Sequence, residues 1–302
     1  MNRAHAHAHH HATPDYNRAF AVGVALNVGF VIVEVIFGVM ANSLALLTDA
    51  GHNLTDVLGL LLAWGAAVLA TRSPSLRRTY GYSRATILAS LASGLLLLVA
   101  VGAIAWEAVG RFNEPVVAEG GTMMVVAGIG VVINTLTAWF FFSGRKHDLN
   151  IRGAYLHMAA DAAVSLGVVI SGAIIWRFGL AWVDPLISLV IAGVILLSAW
   201  DLVKDSLNLA VDAVPREVDP AAVREFLGSQ PGVEELHDLH IWPMSTTDTA
   251  LTAHLVMSRP PDSDAFLHRI TQELERRFGI HHATLQIERG DDVCHQSVHC
   301  AR

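Results

Sequence analysis

Two histidine–aspartate pairs with the same spacing stand in two separate apolar stretches of the chain. His52 and Asp56 lie within 44–70, and His157 and Asp161 lie within 148–176. Residues four apart on a helix stack on one face, one turn from each other. Ionisable groups inside a membrane-length apolar segment are costly, and they face a partner or a water-filled path. Two imidazoles and two carboxylates from facing helices can close a four-coordinate tetrahedral shell, which suits Zn2+ better than Mg2+ or Ca2+. One such pair reads equally well as interhelical hydrogen bonding. Two pairs in separate spans would need four independent structural reasons, so the metal reading is the better one. Asp49 shares the face of His52 and Asp56. It either lines the ion path or hydrogen-bonds backbone near a bend.

The elements that must carry these residues follow from composition. Of 302 residues, 53% are hydrophobic and only 16% charged, and the mean hydropathy is +0.46. Several apolar runs reach the roughly 20 residues a helix needs to cross a bilayer. Six spans are predicted, over 19–40, 44–70, 85–109, 122–143, 148–176 and 183–203, with Asn42 and Ser43 as a tight link between the first two. Ala85, Ala89 and Ser93 give the third span a small-residue face for close helix approach. Glu34 and Asn27 in span one and Asn134 in span four are further intramembrane polar groups. Glu34 either lines a water-filled cavity or packs within the bundle, and the two asparagines read as interhelical hydrogen bonders.

Short loops set the orientation. The loop after span two holds Arg72, Arg77, Arg78 and Arg84, and that after span four holds Arg145, Lys146 and Arg152. The opposite loops hold chiefly Arg111 and Arg177, accompanied by Glu114, Glu119 and Asp184. The excess of Lys and Arg marks the cytoplasmic side, so an even number of spans places both termini in the cytoplasm. Span two then runs inward and span five outward. His52 comes level with Asp161, and Asp56 with His157.

Residues 1–18 are polar and contain His5, His7, His9, His10 and His11. Alternating Ala and His cannot pack a core but can bind metal loosely, whether the run is native or an appended tag. No basic n-region followed by a short apolar run marks a cleavable signal peptide. From about residue 206 the composition becomes that of a soluble domain. Asp219 caps a helix over 220–230, strands follow over 233–242 and 249–257, a helix with an Asp/Ser cap covers 263–278, and a last strand covers 283–288. The chain therefore divides into a His-rich tail (1–18), a membrane domain (19–205) and a cytoplasmic domain (206–302).

The cytoplasmic domain has metal-type side chains of its own. His237 and His240 fall on its first strand, His254 on the second, and His281 and Glu288 around the third, with Cys294 and Cys300 in the tail. Strand pairing brings His237, His254 and Glu288 within plausible reach of one another. Both cysteines lie in the last nine residues, which excludes a disulfide framework and leaves them as thiols or metal ligands. A net charge of −7 argues against nucleic acid as a partner.

Long segments of the chain resemble the cation diffusion facilitator family, in particular its zinc-exporting branch. They are SLALLTDAGHNLTD (43–56), YGYSRATILAS (80–90), NIRGAYLHMAADAAVSLGV (150–168), WVDPLISL (182–189), HDLHIW (237–242), LTAHLVM (251–257) and HATLQIE (282–288). The resemblance implies an α-helical membrane protein with six transmembrane helices followed by a small cytoplasmic α+β domain (αββαβ, metallochaperone-like). It implies a homodimer in a bacterial inner membrane, surrounded by lipid, that exchanges cytoplasmic Zn2+ for protons by alternating access. By position, His52, Asp56, His157 and Asp161 match the transport ligands, and His237, His254 and Glu288 match ligands of a cytoplasmic regulatory site. His240, His281, Cys294 and Cys300 are looser matches. Arg84 and Asp212 match a charge pair at the membrane–cytoplasm boundary, by place and by sign. Two features depart from the family: Thr86 stands where members often carry Glu, and the loop 144–152 lacks the long His-rich insertion of some members.

Ligand chemistry gives the expected mechanism. Zn2+ requires neutral imidazole and ionised carboxylate, so its binding competes with protons. No P-loop is present, so an ion gradient supplies the energy. The rival readings are an intramembrane zinc-dependent hydrolase, which would need an open coordination position and a general base such as Asp49, and a membrane metal sensor. The same transporter with Cd2+, Co2+ or Mn2+ as main substrate is a further alternative.

Overall fold

The computed structural model describes the backbone of residues 16–113, 116–142, 149–261 and 263–289. The side chains of residues 16–27, 60, 140, 141, 149–154, 156 and 157 also lie outside what is described. The histidines of the N-terminal tail, the side chains of Asn27 and His157, and both Cys294 and Cys300 are therefore outside the described residues.

Six helices form in the apolar part of the chain: α1 (Tyr16–Met40), α2 (Leu44–Ala70), α3 (Ala85–Asn113), α4 (Gly120–Phe142), α5 (Leu149–Phe178) and α6 (Val183–Ala210). Among the described residues, α2 to α6 each hold a stretch long and apolar enough to cross a membrane, and α1 adds the apolar stretch Val28–Met40. Large side chains such as Trp106, Trp139 and Leu197 are exposed on these helices, as lipid contact requires. The protein is an integral membrane protein. Two helices run further than hydropathy predicts. α3 continues through Gly110 to Asn113 and α6 to Ala210, because polar turns are free to stay helical beyond the hydrocarbon layer.

The chain gathers into two compact units, Met1–Val57 with Val99–Ile195, and Leu58–Leu98 with Leu196–Arg302. In the first, α4 and α5 approach closely at two glycines. A Cβ on Gly172 would stand 2.8 Å from the Gly120 carbonyl oxygen, so only a residue without a side chain fits there. In the second, Ser93 of the small-residue face expected on α3 packs close to Gly59 of α2, 3.6 Å from where a Cβ there would stand, and Ser90 shares a 2.8 Å hydrogen bond with Ser206 of α6. The second unit also holds the soluble fold, comprising α7 (Pro220–Gly228), β1 (Glu235–Pro243), β2 (Thr249–Val256), α8 (Ala265–Phe278) and β3 (Ile280–Glu288). The order αββαβ is the predicted one, with β3 longer at its start than the alternating pattern indicates.

Sheet order is β1-β2-β3, with β1 antiparallel and β3 parallel to β2. The parallel neighbour requires a crossover, and α8 supplies it. Leu251, Ala253 and Leu255 of β2 point to one face, where Val223, Phe226 and Leu227 of α7 and Phe266, Ile270 and Leu274 of α8 cover them. Both helices thus lie on one side of the sheet. Asp219 caps α7 as expected, accepting from the Ala221 and Ala222 amides at 2.9 and 3.3 Å, with Pro220 at the first helical position. The Asp/Ser cap expected for α8 does not form: Asp264 precedes the helix without a side-chain cap bond, and the end at Gly279 is set instead by a left-handed turn with φ of 66°.

Candidate metal centre

α2 and α5 place the two His/Asp pairs, and the described part of that site is already closely knit. His52 Nε2 stands 3.5 Å from Asp56 Oδ2 one turn along its own helix, and 3.4 Å from Asp161 Oδ1 on α5. Ligand atoms bound at about 2.0–2.1 Å around a tetrahedral Zn2+ are about 3.3 Å apart. The His52 nitrogen therefore stands from each of these two carboxylate oxygens at the separation of ligands that share one ion. Asp161 is buried, while His52 and Asp56 keep partial access. The level pairing of His52 with Asp161 is the one that antiparallel spans predict. His157 lies on α5 one turn before Asp161, and its side chain is outside the described residues.

Two buried polar bridges flank this contact. Asp49, fully buried, accepts from Ser165 Oγ at 2.9 Å. The partner is thus an α5 hydroxyl rather than backbone near a bend. Glu34, also fully buried, accepts from Asn53 Nδ2 at 3.1 Å and ties α1 to α2. Asn134 is buried in α4. Sequence reasoning did not single out Ser165 or Asn53, although each stands one position or one helical turn from a proposed ligand.

The second cluster sits on the sheet face opposite the apolar core. His237 pairs with His254 in the β1–β2 ladder, and Val256, two residues on from His254, pairs with Glu288 in β3. Residues two apart on a strand share a face, so the three side chains converge. His237 Nε2 is 3.1 Å from Glu288 Oε2, and His254 Nδ1 is 2.8 Å from Glu288 Oε1. One ligand atom from each of the three lies within 4.8 Å of the others. The other ring nitrogen of His237, Nδ1, is buried without a hydrogen-bond partner among the described residues. Two imidazoles and a carboxylate are a zinc donor set with a fourth position left over.

Not every candidate joins this cluster. The β1–β2 register slips by one between His237 and His240, where Asp238 adopts φ of 51°, a left-handed conformation that aspartate tolerates. The extra residue takes up the odd three-residue step from Leu236 to Leu239, so Leu236, Leu239 and Ile241 all face the core. It also turns the Asp238 carboxylate between two histidines, 2.9 Å from His240 Nε2 and 3.5 Å from His254 Nε2. Asp238 is a site residue that strand alternation alone could not reveal. His240 reaches the cluster only through it. His281 does not reach it: it falls at the irregularity near the start of β3, seven residues from Glu288, or about 23 Å along a strand.

Arg84 and Asp212 do form the expected pair, with Nη2 2.6 Å from Oδ1 and both side chains about half exposed. Thr86, the residue that departs from the family pattern, accepts from the Thr246 amide at 3.1 Å and thereby links the start of α3 to the β1–β2 turn.

The chain matches the cation efflux transmembrane domain over residues 20–209 and the cation efflux protein cytoplasmic domain over residues 215–290. Similar proteins include the metal cation efflux system protein CzcD of Cupriavidus metallidurans, 40% identical over 95% of this chain and 90% of that one. The zinc transporter ZitB of Escherichia coli is 37% identical over 95% of this chain and 93% of its own. A cadmium, cobalt and zinc/H(+)-K(+) antiporter of Bacillus subtilis is 37% identical over 93% and 91%. These relatives are transporters, and the hydrolase reading falls away: the protein is no enzyme. With both parts of the chain matched, it belongs to the cation efflux family, the cation diffusion facilitators.

Proposed function

We propose that this protein exports Zn2+ from the cytoplasm in exchange for protons, with His52, Asp56, His157 and Asp161 as the ligands of the transported ion. The observation that carries the reading is the placement of His52 at 3.4–3.5 Å from both Asp161 and Asp56 inside membrane-length helices. An N/O donor set of this spacing selects a borderline ion that prefers four ligands, and disfavours Mg2+ and Ca2+, which require six or more oxygens. Imidazole binds Zn2+ only when deprotonated, so a proton arriving from outside expels the metal outward and its loss to the cytoplasm restores affinity. Alternating access of one site to the two sides then makes the exchange an antiport.

The membrane domain (19–205) performs this step, and the cytoplasmic domain (206–302) regulates it as part of a homodimer with both termini in the cytoplasm of a bacterial cell, the inner membrane being its seat. His237, His254 and Glu288, with Asp238 beside them, hold the regulatory Zn2+. The histidines of residues 1–18 pass metal toward the entrance. Uptake of Zn2+ into proteoliposomes under an imposed pH gradient tests the reading, with proton release recorded in the same vesicles. Zinc-dependent proton movement that vanishes in Asp161→Ala is expected; zinc uptake indifferent to the pH gradient would overturn proton coupling.

A further inference from the structure

The outer loops contribute one carboxylate whose place in the fold differs from its place in the sequence. Asp184 belongs to a nominally exposed loop by charge pattern, yet it is fully buried in the first turn of α6. A buried carboxylate must be supplied with hydrogen-bond donors. Among the described residues, the hydrogen bonds to this carboxylate come from the start of another helix. Its Oδ1 accepts from Ser43 Oγ at 2.8 Å and from the Ala45 amide at 3.1 Å, and its Oδ2 accepts from the Leu44 amide at 2.7 Å. Ser43 Oγ in turn accepts from the Leu46 amide at 3.2 Å.

The first turn of a helix leaves its amides without intrahelical partners. In α2 the first two of these are satisfied by α6 and the third by the Ser43 hydroxyl. A negative charge at that end also complements the helix dipole. Arg111, in the last turn of α3, completes the junction: Nη1 donates to the Asn42 carbonyl at 2.7 Å and stands 3.7 Å from Asp184. Asn42 itself has φ of 50°, the tight link that lets α2 reverse out of α1.

This matters because α2 carries His52 and Asp56. From Ala45 to His52 is seven residues, about 10 Å along the axis. A rigid two-turn segment transmits any shift or rotation of its capped end to the ligands, and bond lengths to Zn2+ tolerate only about 0.2 Å. We infer that Asp184 is a positioning residue for the transport site: it anchors the N-terminus of α2 and so sets where His52 and Asp56 meet Asp161. The inference rests on the proposed ligand set, and its test separates the two.

Co2+ in place of Zn2+ reports coordination directly, since tetrahedral Co2+ absorbs visible light far more strongly than octahedral Co2+. The full-length parent, His52→Ala, Asp184→Asn and Ser43→Ala are titrated with Co2+ in detergent, and zinc KM is measured in proteoliposomes. The parent gives an intense tetrahedral band and His52→Ala loses it. Asp184→Asn, with helical content unchanged, shows a weakened or displaced band and a zinc KM raised about tenfold, equivalent to about 1.4 kcal/mol. Ser43→Ala keeps the carboxylate and both backbone bonds, and it moves the band and KM in the same direction by less. If Asp184→Asn does not fold, Ser43→Ala decides alone. An unchanged band and KM in the folded variant, even with a lowered melting temperature, would leave Asp184 a purely structural residue and overturn the inference. A parent band that persists in His52→Ala overturns the ligand assignment instead.

Discussion

Asp49 and Ser165 are joined by a 2.9 Å hydrogen bond between α2 and α5, one turn away from the contact of His52 with Asp161. Moving three residues back along α2 corresponds to moving four residues forward along α5, so the two helices run antiparallel with successive rungs in register. The same register brings the backbone positions 56 of α2 and 157 of α5 level with each other.

That register yields the first prediction. Asp161→Ala and His157→Ala are each expected to abolish zinc flux, because either change removes one of the four proposed ligands and opens the shell. Ser165→Ala leaves all four in place but strands the Asp49 carboxylate without its donor, so flux falls without vanishing. Zinc-loaded proteoliposomes at fixed protein density give the comparison. Flux in Asp161→Ala near the parental level would remove that residue from the site.

Exchanging a nitrogen for an oxygen donor changes preference, not only strength. His52→Asp makes the shell all but one carboxylate and shifts it toward harder ions. Competition of Mn2+ against Zn2+ is expected to strengthen relative to the parent. An identical ranking of metals in both proteins contradicts a selectivity set by donor softness.

How much of this site could be read from residues alone depends on the range of the relationship. His52 with Asp56 is local, and helix periodicity suffices to stack them. His52 with Asp161 requires only the orientation of two spans, which the Arg and Lys of the short loops provide. Ser43 with Asp184 is different: the partners are 141 residues apart, and nothing in the local pattern of WVDPLISL says that its aspartate turns inward. Asp238 was hidden for another reason. A bulge shifts the alternation by one, and the three-residue step from Leu236 to Leu239 shows the slip without saying where the extra carboxylate turns. The ends of α3 and α6 escaped because hydropathy reports where lipid ends, not where the helix does.

The pair Arg84–Asp212 makes a prediction of opposite character. Both side chains are about half exposed, so the contact is worth about 0–1 kcal/mol and is screened by salt. Reversing either charge alone lowers transport modestly, and reversing both restores part of the loss. The effect shrinks as ionic strength rises. Additive losses in the double reversal, measured at low salt, would argue against a functional contact.

The cytoplasmic cluster supplies the last prediction. Its side chains lie in the sheet of the cytoplasmic domain, outside the path across the membrane, so a metal held there would act on transport through conformation. A bound ion shifts a conformational equilibrium only by its differential affinity for the two states. Three donors from β1, β2 and β3 leave a fourth position on the open face, which metal-dependent closure of two such domains would fill. Replacing His237, His254 and Glu288 together should keep zinc flux measurable but flatten its rise with cytoplasmic zinc. Asp238→Gly is the finer probe, because glycine accepts the φ of 51° and keeps the bulge while the carboxylate is lost. Its flux curve should fall between parent and triple variant if the carboxylate orients His254, and should match the parent if only the backbone matters. Spectroscopic distances between labelled cytoplasmic domains, recorded across the same zinc series, provide the structural readout. A triple variant with the parental flux curve and the parental zinc-dependent distance change would reduce these side chains to two histidines and a glutamate on a sheet.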